Sequence, residues 1–144
     1  MSAGEADRQQ SFDKIAALIN ILPAKIILFA MPDRAQEKRE LEHRFAHVCA
    51  SPHTRTFYDA AQMVRRLALL ITPDTSFIHA ASCYRTKVIG LYRADAIHMS
   101  RFAPFDTAHK IICSPTYRVE DIAIEDILSA FQVLHPTKAS HPRT

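Results

Sequence analysis

Phe12, Ile15, Leu18, Ile19 and Leu22 recur at helical spacing behind Ser11, so the pattern predicts an opening helix that Ser11 caps and Pro23 ends. Lys25 to Ala30 is apolar after its lysine, as in a strand covered on both faces of a parallel sheet. A turn is expected at Met31-Pro32. Asp33 with Gln36 then makes a capping-box-like start for a charged helix whose buried stripe would be Leu41, Phe45 and Val48. Asp59 is expected to cap a helix through Met63, Val64 and Leu67. Leu69-Leu70-Ile71 reads as a strand, Thr72-Pro73-Asp74 as a tight turn, and Phe77, Ile78, Ala80 and Ala81 as a helix. Val88 to Tyr92 and Lys110 to Cys113 are two further strands, and Ile124 to Leu134 a last helix that Pro136 stops. Short strands alternating with helices predict an α/β fold with a doubly wound, Rossmann-like parallel sheet, whose ligands gather at the carboxyl ends of its strands. The expected organisation is a disordered start over residues 1–10, one domain over 11–135 and a disordered tail over 136–144.

Composition narrows the function. With 144 residues, 48% of them hydrophobic, the chain is sized for one core that needs neither disulfides nor a structural metal. Its three cysteines, Cys49, Cys83 and Cys113, lack C-x-x-C spacing, which argues against a secreted disulfide framework and for the cytosol. Only two glycines occur, Gly4 and Gly90, too few for a G-x-G-x-x-G or P-loop phosphate cradle. The charge of +3 is interspersed, without the basic stripe of a duplex-DNA binder, so no nucleic-acid partner is expected. The apolar run Ile26 to Met31 is far short of the roughly 18 residues that span a bilayer, and no export signal is visible at the start.

Chemistry concentrates at Thr72 to Ser82. After a buried strand and at a helix opening, Asp74, Thr75 and Ser76 bring together a carboxylate, two hydroxyls and unpaired backbone N–H groups. Such a helix start favours anions by roughly 0.3–1 kcal/mol. A diphosphate fits the N–H groups, whereas the Asp74 carboxylate suits sugar hydroxyls. His79, five residues on, could reach back to the diphosphate. The plainer alternative is a capped helix with a half-buried histidine.

The segment Ile71-Thr72-Pro73-Asp74-Thr75-Ser76-Phe77-Ile78-His79-Ala80-Ala81-Ser82, followed by Lys87-Val88-Ile89-Gly90-Leu91-Tyr92, resembles the signature of the heptosyltransferases, glycosyltransferase family 9, which build the inner core of bacterial lipopolysaccharide. The resemblance covers roughly residues 10 to 134 and is to the C-terminal, nucleotide-sugar-binding half of a two-domain GT-B fold. It implies that Asp74 holds hydroxyls of the heptose, that Thr75, Ser76, the Phe77 amide and His79 surround the diphosphate of ADP-heptose, and that adenine lies near Thr54 to Phe57, by the end of a short strand. It implies no metal, no cofactor besides the donor, and no catalytic residue in this half. The general base and the lipopolysaccharide acceptor surface belong to the N-terminal half. A cytoplasmic enzyme, peripheral to the inner membrane, would follow.

Four departures stand out. Nothing replaces the general base. The first strand of that half and its phosphate-contacting basic residue should precede residue 10, where Met1 to Gln10 carries no apolar strand. Ser76 stands where glycine is common, which requires a negative φ. Arg93 follows Tyr92 where glycine is common. A truncated, non-catalytic binding module that needs a separate N-terminal partner is therefore an alternative, and a second copy or a partner chain are the two candidates for covering apolar surface. An unrelated Rossmann-like domain with Asp-Thr-Ser as a mere cap is the third reading. His43 and His47, four apart, read as a solvated helix face rather than a metal pair, and Arg65-Arg66 and Tyr84 to Lys87 as solvated charge. Cys83 reads as a small buried residue, and the acids Glu120, Asp121, Glu125 and Asp126 as helix-start charges rather than a glycosidase pair.

Overall fold

The computed structural model describes residues 9–136; residues 1–8 and 137–144, where disordered ends are expected, lie outside the described residues. The elements run α1 (Phe12–Ile21), β1 (Ile26–Ile27), a 3-10 turn (Pro32–Arg34), α2 (Ala35–Arg44), β2 (Val48–Cys49), α3 (Phe57–Val64), β3 (Leu69–Pro73), α4 (Ser76–Tyr84), β4 (Lys87–Tyr92), α5 (Ala96–Phe102), β5 (His109–Cys113), a second 3-10 turn (Val119–Asp121) and α6 (Ile124–Leu134). All strand pairs are parallel, in two sheets: β1-β2, with Ile26 opposite Val48, and β3-β4-β5, with Ile71 opposite Ile89 and Gly90 opposite Ile111. The α/β class and parallel pairing expected from the sequence are present.

Ser11 caps α1, its hydroxyl accepting the Lys14 N–H. The same residue anchors the helix to the chain's far end, since its N–H and Oγ donate to the two Glu120 carboxylate oxygens at 2.7 Å each, and Lys14 Nζ donates to the Glu120 carbonyl. One face of α1 and of α6 then buries a shared cluster, in which Leu18, Leu22, Ile127 and Phe131 meet Ile89 and Leu91 of β4. A second cluster joins Ala16 and Ile19 of α1 to Leu41 of α2 and Val48 of β2.

Several local expectations need correction. Asp33 and Gln36 do not form a capping box: Pro32 opens a 3-10 turn, and α2 starts behind Arg34, which makes no side-chain cap and instead pairs with Glu37. Val48 is not on the stripe of that helix, because α2 ends at Arg44 and Val48 pairs in β2. Asp59 is not the cap of α3 but the third residue of a capping box whose cap is Thr56. Leu67 lies beyond the end of α3. The Lys25–Ala30 stretch is bonded as a strand only at Ile26–Ile27, and Ile26 to Phe29 are half-buried rather than covered on both faces.

β4, flanked on both sides, is buried from Val88 to Tyr92. Gly90 is required there. A Cβ on it would lie 2.6 Å from Cε2 of the buried Tyr92 ring and 3.5 Å from Cδ1 of Ile78. The ring cannot simply swing away, because the Tyr92 hydroxyl donates to the Phe102 carbonyl at 2.7 Å. Gly90→Ala is therefore expected to destabilise the fold by about 1–3 kcal/mol through overpacking, read as a lower urea midpoint at unchanged m.

Candidate functional site

β3 ends at Pro73, and Asp74 follows it, 9% exposed, with its N–H donating to the Leu91 carbonyl of β4 at 3.1 Å. This bond fixes the turn against the neighbouring strand. Thr75 is the helix cap, extended at φ −140 and ψ 170, and its hydroxyl accepts the Phe77 N–H at 3.4 Å. That hydroxyl also lies 3.1 Å from Thr72 Oγ1, which is buried and bonded to the Pro73 carbonyl. The Ile78 N–H donates to the Thr75 carbonyl at 3.0 Å. Two donors of the turn, those of Asp74 and Ile78, are thus spent on the fold. The Phe77 N–H is only loosely held at its long distance, and the Ser76 N–H, first in α4, has no intrahelical acceptor.

Ser76 meets the condition set for a residue at a glycine position, since among described non-glycine residues only Arg85 and Asp106 have positive φ. His79 is exposed, not half-buried, and its ring meets the edge of Phe102 with centroids 6.2 Å apart. Three residues after Ser76, it lies on that residue's face of the helix. Asp74, Thr75, Ser76, Phe77 and His79 are therefore gathered at one strand-to-helix crossing.

Beneath the turn sits Tyr92. Burial, and then the charges of Asp74 and Cys113, push its hydroxyl well above the usual range, so it remains a neutral donor. The loops after β4 and β5 are stitched together by Ser114 N–H to Tyr92 O at 2.7 Å and Ala94 N–H to Thr116 O at 3.0 Å. Arg93, at the other glycine-like position, lays its guanidinium 4.4 Å from the centroid of the Tyr117 ring, a cation–π contact.

Sequence patterning misses an aromatic group beside the turn. The Phe77 ring lies 5.3 Å from both Phe29 and Phe57, which come from the segment after β1 and the first residue of α3. Phe57 is substantially exposed, as is the adjacent Tyr58. No local period links these residues; only the topology does. Thr54 to Phe57 is also not at a strand end, as β2 stops at Cys49 and Thr56 already caps α3.

The other candidates disperse. His43 closes α2 with its Nδ1 2.6 Å from Arg39 O, whereas His47 lies beyond the helix with Nε2 3.0 Å from Ile19 O. Among the described residues no group of His, Cys, Asp and Glu is arranged to hold a metal ion. Cys83 is exposed, because its position on α4 faces away from the stripe of Ile78, Ala81 and Ser82. Glu120 serves Ser11, and Asp121 accepts from Thr116 Oγ1 at 2.5 Å. Two surface depressions, of about 490 Å³ against Gln62, Met63, Arg65 and Arg66 and about 590 Å³ against Gln36, Arg39, Glu40, His43 and Arg44, include no residue of the β3–α4 turn. Both are walled by exposed charge, and the turn remains the richer chemistry. No described helix is long and apolar enough to cross a membrane.

Comparison with known proteins gives the turn a context. The sequence model of glycosyltransferase family 9 (heptosyltransferase) matches residues 8–131. The fold superimposes on heptosyltransferase WaaC of E. coli, solved with ADP, at a TM-score of 0.78 and 14% identity, covering 92% of this chain and 42% of that one. A glycosyl transferase family 9 structure from Veillonella parvula DSM 2008 gives 0.75 and 14%, covering 93% and 44%. The chain thus spans less than half the length of these solved neighbours. No curated protein matches it.

Proposed function

The chain belongs to glycosyltransferase family 9 (heptosyltransferase), and on that premise we propose that it binds a nucleotide sugar of the ADP-heptose type at the β3–α4 turn. The observation that carries this reading is the Asp74-Thr75-Ser76 turn itself, set at the carboxyl end of a parallel strand and at the start of a helix. The Ser76 and Phe77 N–H groups, with the Thr75 and Ser76 hydroxyls, face the diphosphate, and His79 leans in as a further donor. Asp74 takes sugar hydroxyls, since its charge would repel phosphate. The exposed Phe57 ring, packed on Phe77, offers an apolar face to the base at the Thr54–Phe57 segment.

In transfer, these groups would bind and orient the donor and stabilise the departing diphosphate with fixed dipoles. The general base and the lipopolysaccharide core acceptor site are assigned to a separate half. Because the chain spans 42% and 44% of its solved neighbours, a donor-binding module that transfers nothing alone is the second reading. A membrane-borne acceptor would be met by peripheral association at the cytoplasmic face.

Calorimetric titration with ADP, UDP and ADP-heptose tests the reading. Saturable ADP binding, tighter than UDP by at least about tenfold, is expected, the ratio corresponding to roughly 1.4 kcal/mol. If neither nucleotide gives saturable heat, the donor assignment is wrong. Heptose transfer to a core acceptor with no other protein present would reject the module-only reading.

A further inference from the structure

His79 is exposed on α4, yet its ring meets one from another element: Phe102, the last residue of α5, at 6.2 Å between centroids and 67° between planes. Edge-on pairs of this kind favour one mutual orientation. An exposed imidazole otherwise exchanges rotamers quickly, so the placement of the Phe102 ring bears directly on that of His79. The rest of α5 offers little to fix that ring. Ala96, Ile97, Ser100 and Arg101 are exposed, Ile97 to 71%, so the helix is not seated by a broad buried face.

Two hydrogen bonds anchor the end of that helix. The Tyr92 hydroxyl donates to the Phe102 carbonyl at 2.7 Å, and just beyond it the Phe105 N–H donates to Ser82 Oγ at 3.1 Å, which itself donates to the Ile78 carbonyl at 3.0 Å. The first of these serves a carbonyl at a helix end, where intrahelical donors run out, and Pro104 has no N–H to offer in their place. Tyr92 suits the task. Its buried ring lies against Gly90, where a Cβ would come within 2.6 Å of Cε2, so the ring is confined in β4 while its hydroxyl reaches α5. Burial, with the charges of Asp74 and Cys113, keeps that hydroxyl protonated and donating.

We propose that Phe102, held by the Tyr92 hydroxyl, is a positioning residue for His79: it keeps the exposed imidazole in one orientation for the ligand of the β3–α4 turn. Dependence then runs from the Gly90 gap that admits the Tyr92 ring, through the Tyr92 hydroxyl and the end of α5, to a side chain on α4. Neither Tyr92 nor Phe102 needs to touch the ligand. The effect on ligand affinity rests on the reading of that turn as a diphosphate site, whereas the hold on the imidazole does not, so the two can fail separately.

The test uses the full chain and three changes: Tyr92→Phe, which removes only the hydroxyl, Phe102→Leu, which removes the ring, and His79→Ala. Imidazole resonances of His79 are assigned by their loss from His79→Ala. In Tyr92→Phe, where every ring is kept, they are expected to move more than those of His43 on α2. Calorimetry with ADP is expected to show binding weakened about tenfold by His79→Ala and about three- to tenfold by Tyr92→Phe or Phe102→Leu, as for a charge-assisted bond lost or misaligned. The double variant of His79→Ala with Phe102→Leu is expected to match His79→Ala within about twofold, because a residue that acts through another adds nothing once that other is gone. A merely structural contribution of Phe102 would persist in the double variant. Additive losses there, or His79 resonances that do not move in Tyr92→Phe, overturn the proposal. If the wild-type chain takes up no ADP, the diphosphate reading falls, and the resonances in Tyr92→Phe alone then decide the hold on His79: movement upholds it and constancy rejects it.

Discussion

Replacing Asp74 with alanine should weaken ADP-heptose binding by about 10- to 150-fold while leaving ADP within about twofold. The size follows from removing a charged acceptor from sugar hydroxyls, worth roughly 1.5–3 kcal/mol. The selectivity follows from placement. Asp74 is nearly buried, and its backbone N–H is tied to Leu91 of β4, which fixes its main chain one residue before the cap of α4, whereas the diphosphate is proposed to sit at the Ser76 and Phe77 N–H groups. ADP lacks the sugar and should barely sense the loss; relief of repulsion with its phosphates could even tighten it slightly. Asp74→Asn keeps the shape and one acceptor oxygen, and it should fall between wild type and alanine. Paired calorimetric titrations of the two ligands on each variant decide the matter. Equal weakening of ADP and ADP-heptose would assign Asp74 to holding the turn rather than to the sugar, provided circular dichroism shows each variant folded.

The elements legible in the sequence are those whose burial imposes a long period. α6 runs over Ile124–Leu134 as its apolar spacing predicts, and β4 adds only Lys87 to the predicted strand. β2 is two residues long, and no pattern of that length distinguishes a strand from a helix end. α5 escapes for a different reason: Ile97 points to solvent, so its apolar residues do not mark one buried face. At the site, strand, turn and helix order place Asp74, Thr75, Ser76, Phe77 and His79 together because all five are close in sequence. Phe29, Phe57 and Phe102, which contact Phe77 or His79, come from three other elements and are found only once the strands are aligned. The misplaced cap of α3 has the same origin as many such errors, since Thr56 and Asp59 are reciprocal partners and either can pass for the cap.

Ile78→Ala should cost about 2–5 kcal/mol, a large part of the 5–15 kcal/mol that holds a domain of this size. Ile78 is fully buried on α4, and its Cδ1 stands 3.5 Å from where a Gly90 side chain would begin. The same residue is bound at both backbone ends, its N–H to Thr75 O at 3.0 Å and its carbonyl to Ser82 Oγ, also buried, at 3.0 Å. With the helix pinned in this way, the neighbours cannot collapse into the space left by three missing carbons, which places the cost toward the upper part of that range. The expected fall in Tm is roughly 6–20 °C, against about 0.5–1.5 kcal/mol for Ile78→Val, which removes one carbon. Because Ile78 anchors the first turn of α4 to β4, its loss should also raise the Kd for ADP without separating ADP from ADP-heptose. That pattern is opposite to the one expected at Asp74. A Tm drop below about 3 °C for the alanine variant would mean that α4 does not rest on β4 through this side chain, and that the turn at its start is held by its hydrogen bonds, Asp74 N–H to Leu91 O and Thr72 Oγ1 to Thr75 Oγ1 among them.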